Sequence, residues 1–204
     1  MYSELLEIII IGTGSYVCGK SKNEFGTILP SLLVYAKKYK INLDIIVACN
    51  SLKGKKRILE KFYSLKSIMM VGDYVNLHTI CCNGDPDVFF NNFSSKSKKI
   101  ASIVSVPDQF HYYWIKSLLN KKIPVLTVKP LTLNLQDSLE LKKLSEELNT
   151  PAFVEFHKRY DKQIRYARDQ YLSNQVGNLL YTFTEYTQRK IMPTETFKDW
   201  SIKT

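Results

Sequence analysis

The sequence predicts an α/β fold in which helices cover both faces of a parallel sheet, and three observations lead to this prediction. Five short runs rich in β-branched residues alternate with helical segments along the 204 residues. A glycine pair, Gly12 and Gly14, directly follows the first of these runs. Residues 101–131 read as a strand–helix–strand unit, which implies parallel strands. Together these features predict a Rossmann-like, doubly wound parallel sheet.

The predicted strands are near-continuous apolar runs, as expected for a parallel sheet that is covered on both faces. They are Glu7–Ile11, Leu43–Cys49, Val75–Cys82, Ala101–Val106 and Pro124–Val128. The clearest predicted helix, Ile28–Lys40, carries its apolar residues at helical spacing. We therefore predict that residues 1–130 form a dinucleotide-binding domain of the Rossmann type.

The chain after Pro151 predicts a different architecture. Its elements are a strand at Ala152–His157, a helix at Lys162–Ser173 and a strand at Leu179–Tyr186. These are the opening elements of an α+β domain, and they are too few for a sheet with a covered face. Residues 131–204 are therefore predicted to be the incomplete start of an α+β domain, whose open sheet edges favour self-association.

The turn after the first strand, Gly12-Thr13-Gly14-Ser15-Tyr16, predicts a phosphate site. Two glycines spaced in this way permit a tight turn and let backbone N–H groups approach a pyrophosphate at the positive end of a helix. An ordinary strand-to-helix turn is the alternative. Val17 occupies the third glycine position of the fingerprint, and the segment Cys18–Thr27 separates the turn from the first long helix. This segment fits equally well as a cover over the phosphate region or as a surface loop.

The residues after the second strand bear on the choice of dinucleotide. Asn50-Ser51 stands where an acidic residue usually binds the ribose 2′-hydroxyl, and basic residues including Lys53 and Arg57 follow. Amide, hydroxyl and basic groups suit a 2′-phosphate, so the sequence slightly favours NADP over NAD. The alternative is that this cluster is the solvated start of the next helix.

Short motifs recur in order through nearly the whole chain. They are Gly12-Thr13-Gly14, Val106-Pro107 with His111, Lys129-Pro130-Leu131, the helix Asn134–Asn149, Phe156 with Arg159-Tyr160-Asp161, Gly177, Glu185-Tyr186, Gln188-Arg189, and Phe197 with Trp200. In this order and spacing the chain resembles the Gfo/Idh/MocA family of NAD(P)-dependent oxidoreductases. One departure is Val128, where the family usually has a glutamate before the Lys-Pro pair.

The resemblance implies hydride transfer between a nicotinamide cofactor and a hydroxyl or keto carbon of a sugar, polyol or nucleotide-sugar-like substrate. Lys129 would bind the reacting hydroxyl and the nicotinamide ribose, and it would serve in proton transfer. His111 would line the cofactor side, and Pro107 would shape the turn beneath the nicotinamide. Arg159 and Arg189 would hold the substrate.

The implied cofactor contacts lie at the ends of four predicted strands. They are Gly12, Thr13, Gly14, Ser15, Tyr16, Asn50, Ser51, Val106, Pro107, His111 and Lys129. Structural alternatives exist for three of the proposed side chains. Lys129 could be a solvated lysine, His111 a helix-face histidine satisfied by backbone groups, and Arg189 surface charge.

A second interpretation follows from what the motifs omit. In this family a Gly-x-His-x-x-Asp stretch of the second domain supplies an acid/base histidine, and this sequence has histidines only at His78, His111 and His157. The alternative function is therefore a truncated or non-catalytic nucleotide-binding relative that acts as a sensor or subunit. The intact Lys129-Pro130 pair favours the enzyme.

Composition excludes several other classes of protein. The net charge is +10, but the lysines are spread over helices and loops without an aromatic stripe, so we expect no nucleic-acid partner. No run of 18 apolar residues or basic signal peptide occurs, which predicts a cytoplasmic protein without a membrane partner. The four cysteines lack metal-ligand spacing and read as reduced core residues, so no metal is expected.

Overall fold

The computed structural model describes residues 4–21 and 23–187, which fall into two compact units. The first unit ends at Glu155 and the second begins at Phe156. The sequence predicts this boundary earlier in the chain, at residue 130, because it places the strand after Pro151 in the second domain. In the structure that strand instead pairs with the sheet of the first unit.

A six-stranded parallel sheet forms the centre of the first unit. Its strands are β1 (Leu6–Ile11), β2 (Leu43–Cys49), β3 (Val75–Cys81), β4 (Lys99–Val104), β5 (Val125–Val128) and β6 (Ala152–Glu155). Their spatial order is β3-β2-β1-β4-β5-β6, and every adjacent pair is parallel. This is the doubly wound arrangement, so the predicted Rossmann-like fold class is confirmed.

Helices cover the sheet from two sides. Those of the first unit are α1 (Ser15–Cys18), α2 (Ile28–Tyr39), α3 (Leu52–Ile68), α4 (Pro86–Asn92), α5 (His111–Asn120) and α6 (Leu135–Glu147). The first three share one apolar cluster with β1, β2 and β3. The last three contribute side chains to a second cluster on the opposite face.

The strand β1 shows why the sequence of a central strand is apolar throughout. Ile8 and Ile10 belong to the first cluster, whereas Ile9 and Ile11 belong to the second. All four side chains are buried, since successive residues of a strand point to opposite faces. Burying each one contributes about 1.5–3 kcal/mol to folding, which makes β1 a central support of both cores.

The described part of the second unit contains one regular helix, α7 (Lys162–Leu172), after a short 3-10 turn at His157–Tyr160. The predicted strand Leu179–Tyr186 is wrong, because residues 179–187 have no regular secondary structure. Leu180 is 89% exposed, and no described strand pairs with this stretch. Without a partner strand, the backbone groups of an apolar run cannot form a ladder.

The turn between β1 and α1 is fixed by a close approach of two strand ends. The N–H of Gly12 donates to the carbonyl oxygen of Ala48 at 3.1 Å, and the N–H of Ser105 donates to that of Ile11 at 2.9 Å. Gly12 has a φ of +108°, and a Cβ at this position would overlap the carbonyl oxygen of Ser105. Only glycine satisfies both the backbone conformation and the space.

Replacing Gly12 by alanine is therefore expected to destabilise the first unit by at least about 2 kcal/mol. Gly14→Ala is the matched control, since Gly14 has a φ of −70° and no heavy atom within 4 Å of an added Cβ. We expect that change to cost less than about 1 kcal/mol, the usual scale of a change to alanine at a helix N-cap. Urea unfolding followed by circular dichroism measures both, and equal losses would contradict this account of the turn.

Candidate functional site

The candidate site lies along the edge of the sheet where the parallel strands end. The turn Gly12–Gly14 follows β1, the segment Ser105–Pro107 follows β4, and Lys129 follows β5. The strand order reverses between β1 and β4, which are direct neighbours in the sheet. In doubly wound sheets this switch point forms the crevice that receives ligands.

The glycine turn leads into a single helical turn, α1. The N–H groups of Val17 and Cys18 both donate to the carbonyl oxygen of Gly14, at 3.1 and 3.2 Å. Val17 is fully buried in the first apolar cluster, so a valine is accommodated at the third glycine position of the fingerprint. Ser15 opens α1, and Tyr16 follows it.

Helix α3 packs directly against this turn. A Cβ at Gly54 would lie 2.5 Å from Oγ1 of Thr13, so the absence of a side chain permits the contact. The Arg57 guanidinium donates to the carbonyl oxygen of Thr13, and Nε of Arg57 is buried without a hydrogen-bond partner. The glycine turn is thereby held from the side of β2 as well as from β4.

The segment between α1 and α2 folds back on both α1 and α3. The N–H of Thr27 donates to the carbonyl oxygen of Tyr16 at 2.8 Å. From α3, the ammonium of the buried residue Lys61 donates to the carbonyl oxygens of Ser21 and Glu24, both at 2.6 Å. The segment is therefore anchored to two helices through backbone groups.

The end of β2 places Asn50 and Ser51 at the same edge of the sheet. Oγ of Ser51 accepts a hydrogen bond from the N–H of Gly54 at 3.1 Å, which makes Ser51 the N-cap of α3. Oδ1 of Asn50 faces Gly84, where an added Cβ would lie 2.7 Å away. Lys53, in the first turn of α3, is exposed.

His111 joins the turns that follow β4 and β5. Its Nδ1 lies 2.7 Å from the carbonyl oxygen of Pro130, and its Nε2 lies 3.0 Å from that of Val106. The ring is completely buried, and these contacts match the alternative of a histidine satisfied by backbone groups. His111 therefore positions Val106-Pro107 relative to the cis-linked pair Lys129-Pro130.

Asp108 is a buried acidic residue that the sequence analysis did not select. Burial raises the pKa of this carboxyl, while the positive charges of His111 and Lys129 lower it to a smaller extent. Lys129 itself is exposed at the end of β5. The sequence could have indicated Asp108 as a site residue, because it is acidic and directly follows Pro107 at the carboxyl end of a predicted strand.

Glu155 is a second residue that the sequence analysis missed. The hydroxyl of Tyr16 donates to Oε2 of Glu155 at 3.2 Å, across 139 positions of sequence. Burial, and then the nearby carboxylate, raise the pKa of Tyr16. Glu155 ends β6, so its place at this edge could not be found until β6 was assigned to the sheet.

Neither of the two arginines predicted to hold the substrate lies within the first unit, which ends at Glu155. Arg159 belongs to the second unit, where its exposed guanidinium lies 5.0 Å from the centre of the Phe156 ring. Arg189 lies outside the described residues. Within residues 4–21 and 23–187, no helix is both long and apolar enough to span a bilayer.

Comparison with protein families relates this geometry to known proteins. The model of the family GFO_IDH_MocA, described as an oxidoreductase family with an NAD-binding Rossmann fold, matches residues 40–156. The match covers more than half of the chain. It includes the ends of β2, β4 and β5, where the candidate residues lie.

Two inositol 2-dehydrogenases are similar to part of the chain. The enzyme from Leifsonia xyli is 32% identical over 82 residues, which are 40% of this chain and 24% of the relative. That from Corynebacterium glutamicum strain R is 33% identical over 81 residues, which are 39% and 24% of the two chains. The alignment thus spans about a quarter of these relatives.

Solved structures share the fold at low sequence identity. A myo-inositol dehydrogenase from Corynebacterium glutamicum superposes with a TM-score of 0.57 at 18% identity, covering 85% of this chain and 43% of that one. An oxidoreductase from Agrobacterium radiobacter, solved with NAD+, L-tartaric acid and magnesium, gives 0.57 at 16%, with coverages of 85% and 42%. A 3-ketoreductase mutant from Actinomadura kijaniata, solved with TDP-benzene and NADP, gives 0.56 at 19%, with coverages of 85% and 46%.

The buried carboxyl of Asp108 predicts a pH-dependent stability. Because its pKa is raised in the folded state from 3.8, its favourable contribution is complete below that value and is lost as the pH rises through the folded pKa. Asp108→Asn is therefore expected to raise the melting temperature at pH 7, with a gain that shrinks as the pH falls toward 4. Thermal unfolding at stepped pH measures it. Asp73→Asn, at an exposed site, should show no such gain.

Proposed function

This chain belongs to the Gfo/Idh/MocA family of NAD-binding oxidoreductases, and from that premise we propose a hydride-transfer function. The reaction would run between NAD or NADP and a hydroxyl or keto carbon of a sugar, polyol or nucleotide-sugar-like substrate. The observation that carries the proposal is the convergence of the Gly12–Gly14 turn and Lys129 at the edge of the sheet that contains the switch point. The resemblance to inositol 2-dehydrogenases supports a polyhydroxylated substrate.

The glycine turn fits the pyrophosphate of such a cofactor. Gly14 has no heavy atom within 4 Å of an added Cβ, so the turn presents open backbone surface beside the switch point. The contacts from Ser105 and Arg57 hold this backbone in place. Bound there, the dinucleotide would supply the carbon centre that accepts or donates hydride.

Lys129 is the proposed catalytic residue. Its exposed side chain follows β5, and its ammonium would donate to the substrate oxygen and hold or release the hydroxyl proton. His111 fixes the backbone after Lys129 through the carbonyl oxygen of Pro130. Asp108 adds an acidic group close enough to Lys129 for their charges to interact. These residues orient the lysine that the reaction requires.

The end of β2 supports a preference for NADP. Asn50-Ser51 lacks a carboxylate that would repel a 2′-phosphate, and Lys53 is exposed in the first turn of α3. Oγ of Ser51 accepts a hydrogen bond as the N-cap of α3, and its O–H can still donate, so Asn50, Ser51 and Lys53 are the proposed contacts for the phosphate.

Titrating the chain with NADPH and NADH while following thermal unfolding tests the cofactor site. We expect a saturable rise in melting temperature, larger at equal concentration with NADPH, because binding to the native state alone stabilises it. Gly14→Val should abolish the shift, since its side chain would occupy the proposed pyrophosphate position. The same variant should fold normally, given the space around Gly14. The absence of a shift with either dinucleotide would favour the non-catalytic alternative.

Lys129→Ala separates binding from chemistry. We expect dinucleotide affinity to stay within about tenfold of wild type, because one polar contact of roughly 1–2 kcal/mol is removed. Cofactor reduction with myo-inositol as probe should fall by about 10²–10⁴, the usual scale of acid–base catalysis. Lys98→Ala, an exposed lysine just before β4, is the matched control and should leave both quantities unchanged. Equal rates for the two variants would contradict the assignment of Lys129.

A further inference from the structure

The hydrogen bond between Tyr16 and Glu155 joins the two ends of the candidate site. Tyr16 lies two residues beyond Gly14, next to β1, whereas Glu155 ends β6 at the edge of the sheet. From β1 to β6 the sheet makes three inter-strand steps of about 4.8 Å each. The pair therefore reaches across the carboxyl ends of β4 and β5.

Strand register places Glu155 beside Val128, the residue that precedes the proposed catalytic lysine. Val128 is the partner of Glu155 in the β5–β6 ladder, and Lys129 is the next residue after Val128. Side chains of register partners lie on the same face of a parallel sheet. Tyr16 and Val128 both pack against the first apolar cluster, which locates the Tyr16–Glu155 pair on that face. The family usually has a glutamate at the position of Val128. In this chain the neighbouring strand carries a carboxylate instead, at Glu155.

The topology indicates which half of a dinucleotide would meet this carboxylate. A doubly wound sheet binds the pyrophosphate at its switch point and one mononucleotide over each half of the sheet. In the proposed site the end of β2 would receive the adenosine ribose, so the half formed by β4, β5 and β6 would receive the nicotinamide. Glu155 lies in that second half.

We propose that Glu155, held in place by Tyr16, gives the site a preference for the oxidised dinucleotide. The inference rests on the proposed cofactor site. The nicotinamide ring carries a positive charge in the oxidised form and none in the reduced form. A carboxylate near it therefore lowers the free energy of the oxidised complex alone. Glu155 is half-buried, so this attraction is screened less than on an open surface.

A positive charge in the same part of the site adds to the role proposed for Glu155. The ammonium of Lys129, whose charge interacts with that of Asp108, opposes binding of a positively charged ring. Glu155 offsets this repulsion from the adjacent strand, and its bond to Tyr16 keeps the carboxylate on the side of the glycine turn. Removing the charge should thus alter the discrimination between the two redox forms more than the overall affinity.

Calorimetric titration of the full chain with NADP+, NADPH and 2′-phospho-ADP-ribose tests the proposal. NAD+, NADH and ADP-ribose replace them if the wild type binds that pair more tightly. Glu155→Gln should weaken binding of the oxidised form about fivefold, the scale of one partly solvated charge pair. Binding of the reduced form and of the fragment without nicotinamide should stay within about twofold. Glu155→Asp keeps the charge and should keep the wild-type ratio within about twofold, and Tyr16→Phe should give an intermediate ratio.

Each other outcome overturns the proposal in a recognisable way. An unchanged ratio in Glu155→Gln, with binding intact, would mean that the carboxylate does not sense the nicotinamide. Equal weakening of all three ligands would assign Glu155 a structural role only. If the wild type bound none of them, the proposed cofactor site would fail, and the inference about Glu155 would fail with it.

Discussion

The close approach of β1 and β4 is the constraint on which the rest of the candidate site depends. The N–H of Ser105 donates to Ile11, and the backbone of Gly12 lies directly against the carbonyl of Ser105. No side chain fits between these strand ends, so the chain must turn at a glycine with positive φ. That turn aims the backbone after β1 toward the crevice and sets the distance to the segment after β4. Both halves of the site are built outward from this contact.

Contacts with the backbone then extend this arrangement to Lys129, the proposed catalytic residue. His111 lies at the start of α5, and its ring meets the carbonyl oxygens of Val106 and Pro130. The turns after β4 and β5 are therefore coupled through one buried side chain. On the other flank, Gly54 and Arg57 of α3 hold Thr13 in the glycine turn. The backbone that lines the crevice is thus held by three buried or partly buried residues, His111, Gly54 and Arg57.

Both positively and negatively charged side chains lie along this edge of the sheet, and they differ in how deeply they are buried. Lys129 is exposed, Asp108 is buried with a raised pKa, and Glu155 is half-buried and bonded to Tyr16. Burial disfavours an isolated carboxylate, whereas the Tyr16 hydroxyl stabilises the one on β6. In the proposed reaction, which moves a hydride and a proton, this balance of charges would act on the redox form of the cofactor.

The sequence by itself determined the elements whose signals are local. The β2 boundaries were predicted to the residue, and the glycine turn, α2 and the Lys129-Pro130 pair lie where the apolar runs and turn residues indicated. Only the tertiary structure decided that β6 joins the parallel sheet, that His111 faces two carbonyls, and that Tyr16 meets Glu155. Apolar periodicity depends on neighbours a few residues apart and can be read from the chain. Strand pairing and burial bring together residues that are far apart in the chain, 139 positions in the case of Tyr16 and Glu155, and such contacts exist only once the sheet has formed.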